Sequence, residues 1–230
     1  MLVSGRMLRS VVAVLAVATF AGCSSDDDPK PDTSKITADT MRAALLTPAD
    51  IGPTWKTPPE SPAPATLVSI CGADTAAAGI PGKPAVLTAP VSDEGTAGVQ
   101  SLTQYALIYD DAVSASTAVA TLRTIADACP ASVQRPAKEG DRDEPAYTET
   151  AKTTELEQAA WAGFATTRNK QYDKAHPATA DIAVVALSHA NVVLVDQYAI
   201  YRLGKSAVSA NPQFSQDWQK LVGTTLSRVP

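Results

Sequence analysis

Apolar positions recur along this chain with two periods, and each predicts its own elements. Over residues 112–129, Ala115, Ala118, Leu122, Ile125 and Cys129 fall three or four apart, widened by Val119 and Ala126, and Pro130 follows. This is one face of a helix with a proline stop. Phe214, Trp218, Leu221, Val222 and Leu226 predict an amphipathic helix near the C-terminus, with Asn211 at its cap and Pro212 at its first position. A short helix is expected over residues 38–44 behind Thr37, then a turn in which Thr47 caps, Pro48 opens and Asp50 supplies the capping carboxylate. Gly52-Pro53 stops that turn.

Strand signals fill the rest. Leu102, Gln104, Ala106 and Ile108 alternate with Thr103, Tyr105, Leu107 and Tyr109, a period of two. Residues 145–152 and 158–168 predict two more strands. Residues 182–187 and 192–201 predict a hairpin through Ser188-His189-Ala190-Asn191. Seven of the 17 prolines lie between residues 56 and 95, so that stretch is expected to be irregular, with short strands at best. Residues 131–145 and 169–178 read as polar loops. Consecutive strands at hairpin spacing predict an α+β fold: an antiparallel sheet with helices packed on one face.

The N-terminus carries a different signal. Arg6 and Arg9 precede the apolar run 11–20, then Ala21, Gly22 and Cys23, then two serines and three aspartates. The run is too short for a helix to cross ~30 Å of hydrocarbon and reads as a signal peptide over residues 1–22, starting at Met1 or Met7. Phe20-Ala21-Gly22-Cys23 resembles a bacterial lipobox, with Phe20 where Leu is usual. That resemblance implies a Cys23 bearing diacylglycerol (palmitate-type chains) as the first mature residue. Residues 23–36 would then be the lipidated Cys and a flexible tether of Asp, Pro, Ser, Thr and Lys. Residues 37–230 would form one extracytoplasmic domain on the outer face of the bacterial cell membrane.

Composition narrows the chemistry. Hydrophobic residues are 45% and charged residues 19% of the chain, a globular balance. Net charge is −5 and becomes −7 once residues 1–22, with two arginines and no acid, are removed. An acidic domain is not built for nucleic acid. Charge does not recruit it to an anionic membrane either, so the lipid must anchor it. Three cysteines and two histidines leave little for a protein-built zinc site, and no metal or other cofactor is expected. With Cys23 lipidated, Cys71 and Cys129 remain to form a disulfide in an oxidising compartment.

Catalytic patterns among the remaining residues are incomplete. Ala199 to Ser206 fits a permissive phosphate-loop pattern, but its first half continues a strand and no helix follows at once. His176 and His189 lie in a polar loop and a hairpin turn, and Ser188 beside His189 points to the other strand face. Asp141, Asp143 and Glu144 lack the spacing of a calcium loop. Trp55, Trp161 and Trp218 read as core. Tyr105, Tyr109, Tyr198 and Tyr201 are candidates for the wall of a binding groove, since a phenol joins apolar area to one polar tip; packing against the sheet is the alternative.

Residues 45–55 (LLTPADIGPTW), followed by Cys71, a strand, a helix ending at Cys129 and a closing sheet, resemble actinobacterial lipoproteins similar to the extracellular sensor domain of PknH-type serine/threonine kinases. The resemblance implies an α+β domain with a central antiparallel sheet and a groove for an unidentified ligand. That kinase domain carries two disulfides, whereas this chain has cysteines for one. The expected function is a non-catalytic, lipid-anchored binding or sensor-like domain for a small ligand or envelope protein. An extracytoplasmic hydrolase acting on envelope material is the alternative, and an assembly factor with a flat apolar patch is a third reading.

Overall fold

The computed structural model describes residues 35–59, 66–72, 77–95, 98–139, 144–203 and 213–230. The expected signal peptide, Cys23, Asp141, Asp143, Gly204-Lys205-Ser206, Asn211 and Pro212 lie outside them. Seven strands, β1 (Ala85–Gly95), β2 (Gly98–Ile108), β3 (Ser132–Arg135), β4 (Tyr147–Gln158), β5 (Trp161–Tyr172), β6 (Ala178–His189) and β7 (Val192–Leu203), make one antiparallel sheet in the order β1-β2-β7-β6-β5-β4-β3. From β3 onward the chain simply meanders back. The one long connection runs from β2 to the far edge through α3 (Ala112–Asp127). A 16-residue helix is ~24 Å long, and five strand spacings are also ~24 Å, so the crossover is as long as the sheet it traverses. It packs on β5, β6 and β7 on the way.

The α+β class, the antiparallel sheet and the disulfide are as expected. The helices are not on one face. Side chains alternate across a strand, so β7 sends Val193, Val195 and Ala199 into the core beneath α3. Its Leu194, Tyr198 and Ile200 enter a second core on the opposite face, with Met41 of α1 (Ala38–Ala44) and Trp218 and Val222 of α4 (Phe214–Leu226). An antiparallel sheet often keeps one face wet; here β6 and β7 are apolar on both faces, and each face needs a cover.

Other expectations shift locally. Residues 85–95, expected to be irregular, form a full edge strand; Pro90 sits within it, and proline is tolerated at a sheet edge. The charged stretch after Pro130 contains β3, and Lys138 bridges Glu144. β4 and β5 run longer than expected and are joined by a tight turn in which Ala159 takes φ 53°. Thr37 caps α1 by accepting from the Thr40 N–H at 3.2 Å, and Asp50 of α2 (Pro48–Ile51) accepts from the Thr47 N–H and hydroxyl, both at 2.7 Å. α4 begins at Phe214, with Gln213 in the cap position. Cys71 and Cys129 are bonded, with Cα atoms 5.1 Å apart. The bond ties residues 66–72 to the end of α3, on the α3 face.

Candidate functional site

Helix α4 has two adjacent stripes. Phe214, Trp218, Val222 and Leu226 enter the core. Next to them Asp217, Lys220, Leu221 and Thr224, spaced as one helix face, line a cleft of about 260 Å³. Leu46, Asp50, Ile51 and Trp55 form the facing wall, and Gln100 and Tyr198 are on the sheet floor. The facing wall thus comes from the LLTPADIGPTW segment.

Tyr198 is fixed from two sides. Its ring stacks on Phe214, with centroids 5.8 Å apart and planes 12° apart, and its hydroxyl donates to Gln100 Oε1 at 2.9 Å. Burial, and then the nearby Asp217 charge, raise its pKa above the ordinary phenol value. Asp50 is held well below the usual carboxylate range, first by the Arg228 guanidinium at 2.6 Å and then by Thr47.

Beneath the cleft is a buried polar network. Gln104 Oε1 accepts from the Leu46 N–H at 2.7 Å, while its Nε2 donates to Thr225 Oγ1 at 3.0 Å and to the Asp196 carboxylate at 3.3 Å. One carboxamide therefore joins the α1–α2 link, the sheet and α4. Asp196 is fully enclosed, and burial pushes its pKa up to about 7 against the counter-effect of Gln104. Periodicity alone does not mark this pair. The signal was an acid inside the apolar run of β7, facing a glutamine in register across the sheet.

The four candidate tyrosines do not form one wall. Tyr198 faces the cleft, whereas Tyr105 and Tyr109 belong to the opposite core under α3. Tyr201, three residues after Tyr198, points to that opposite face and is 39% exposed. Tyr109 donates to the Pro81 carbonyl at 2.7 Å, and burial pushes its pKa up to about 12. It lines a separate groove of about 390 Å³ between α3 and Pro81-Gly82-Lys83.

Trp161 and Trp218 are core, as expected, while Trp55 is half-buried at the cleft. His176 precedes β6 and His189 is its last residue, at the opposite end: His176 Nδ1 lies 3.0 Å from Asp173, and His189 packs against Trp161 with ring centroids 5.5 Å apart. Glu144 is taken up by Lys170 Nζ and the Tyr172 hydroxyl, both at 2.9 Å. The cleft wall thus offers aromatic area, one bound carboxylate, one bound phenol, and the side chains of Asp217 and Lys220. Among the described residues, no imidazole or thiol lines it.

Comparison with protein-family models gives no match, and comparison with curated proteins gives none either. Among solved structures, this chain is similar to the crystal structure of the extracellular domain of PknH from Mycobacterium tuberculosis, with a TM-score of 0.52 at 15% identity over 84% of this chain and 98% of that one. The fold is PknH-like. At that identity the likeness concerns the path of the chain rather than the cleft's side chains.

Proposed function

We propose that this chain is a membrane-anchored extracytoplasmic lipoprotein whose domain binds a small ligand or an envelope partner without catalysing a reaction. The cleft between Trp55 and Tyr198 is the binding site. The observation that carries the reading is the state of its polar groups: Asp50 is tied up by Arg228 and Thr47, and Tyr198 holds its proton against Gln100. A catalytic site brings a nucleophile to a base that a third group orients; here the aromatic walls serve contact instead. The likeness to an extracellular domain supports an extracytoplasmic setting. Residues 1–22 are the signal peptide, Cys23 carries the lipid, residues 23–36 are the tether, and residues 37–230 are the domain.

Two measurements test this. The mass of the N-terminal peptide from membrane-extracted protein should show cleavage before Cys23 and added acyl chains, and Cys23→Ala should release the protein from the membrane. Mass spectrometry of what co-purifies with the detergent-extracted chain should find a species that Trp55→Ala loses while the fold persists. Turnover of an envelope polymer or ester, abolished by changing Asp217 or Lys220, would replace binding by the hydrolase reading.

A further inference from the structure

The described chain begins at the end of the sheet where the groove on the α3 face opens, with the Ile36 side chain itself in the core on the other face. Ile36 is bound through its backbone to Asn191, and Asn191 also donates to the Tyr109 carbonyl at 3.0 Å. Lys35 acts electrostatically on Asp111, the N-cap of α3. Position 35, the first described residue, therefore lies close to the start of α3, where Tyr109 and Asp110 line that groove of about 390 Å³. Twelve residues, 24–35, reach ~40 Å at most. A chain held at Cys23 keeps this end of the domain within that distance of the bilayer, at an effective concentration on the order of millimolar. Even a weak lipid site would then be occupied.

The groove carries matching chemistry. Lys83 and Asp110 both line it, and neither has a charged partner among the described residues. Ser114, Thr117 and Thr121 follow one face of α3 and line it too. Beside them Val113, in the first turn of α3, is 74% exposed. One unpaired cation and one unpaired anion suit a zwitterion, and a protruding valine suits the acyl boundary beneath it.

We propose that the groove between Pro81-Gly82-Lys83 and the first turns of α3 faces the bilayer and takes the headgroup of a phosphatidylethanolamine from the outer leaflet. Lys83 meets the phosphate, Asp110 meets the ammonium, and Val113 rests on the acyl boundary. This rests on the lipid-anchor reading for its setting in the cell, but not for its test.

The test uses the mature chain, residues 23–230, coupled through Cys23 to a maleimide lipid in vesicles, with the Cys71–Cys129 bond intact. Hydrogen–deuterium exchange should slow in peptides covering Lys83 and residues 109–117 on phosphatidylethanolamine-containing vesicles. It should stay unchanged around Leu203, at the other end of the sheet. Lys83→Glu and Val113→Asp should each abolish the slowing while leaving exchange in β6 as before. Equal slowing on phosphatidylglycerol alone, or persistence in Lys83→Glu, would overturn the headgroup assignment. Slowing around Leu203 instead, or none anywhere, would overturn the orientation. The N-terminal peptide mass in cells decides the anchor separately, so the two failures are distinguishable.

Discussion

The Asn191 carboxamide holds Ile36 at both of its backbone polar groups: Oδ1 accepts from the Ile36 N–H at 2.8 Å, and Nδ2 donates to the Ile36 carbonyl at 3.2 Å. A side chain in the β6–β7 turn thus pins the backbone at Ile36 to the end of the sheet. Asn191 is 4% exposed and also bonds the Tyr109 carbonyl. Asn191→Ala leaves these backbone groups short of partners, and the expected loss is about 2–4 kcal/mol. Urea unfolding checks it. Asn191→Asp, which keeps the acceptor and loses the donors, should also destabilise the fold.

Asp196 should make stability pH-dependent. Its folded pKa is raised to about 7 by burial, while the unfolded value is about 3.9. The folded state therefore favours the protonated form. This contribution is full below the unfolded value and is lost as pH rises through the folded one. Stability should fall by up to about 4 kcal/mol between pH ~4 and ~8. Asp196→Asn should flatten that decline, so the variant gains on the wild type as pH rises. Unfolding curves across the range measure it; parallel pH slopes in the two proteins would refute the assignment. Asp50 works in the opposite sense: its lowered pKa gives stability present above the ordinary carboxylate value and lost as pH falls.

The Cys71–Cys129 bond closes a separation of 58 residues. Loop-closure entropy gives about 4 kcal/mol of stabilisation for that length. Reduction, or the double change to alanine, should lower stability by roughly that amount. Exchange should rise first in residues 66–72, which the bond holds against α3. Peptide mapping without reductant, finding the two cysteines linked, checks the bond itself.

Glu149 and Arg168 form an ion pair at 2.8 Å with both side chains buried. Gly72, at φ +124°, covers it so closely that an added Cβ would stand 2.7 Å from Glu149 Oε2. Removing one partner leaves the other charge buried, so Glu149→Ala should cost about 3–5 kcal/mol. Gly72→Ala should destabilise as well, because it adds both a strained φ and a collision. Thermal unfolding distinguishes them from Glu155→Ala, an exposed partner of Arg123, which should cost less than about 1 kcal/mol.

Local chemistry in the sequence was enough for several elements. Thr37, Thr47-Pro48 and Asp50 mark two helix starts because caps act within one turn. The spacing of Phe214, Trp218 and Val222 gives α4, and the alternation around Tyr105 gives β2, because each reports a face presented to a core. The cysteine pairing followed from the number of thiols left after Cys23. The run of prolines before residue 95 misled, because proline's cost depends on whether its missing N–H would have faced a neighbouring strand, and β1 is an edge.

What the tertiary structure decided was which faces meet. Side chains in β7 alternate, so Tyr198 and Tyr201 are near in sequence yet stand on opposite faces, and no period assigns either face to a helix. The doubly apolar β6 and β7 did carry a local sign that both faces are covered. Joining Gln104 to Asp196, and Leu46 to Thr225, required the β2–β7 register and the docking of α4. Those are set by long-range packing and loop closure, to which a sequence window is blind.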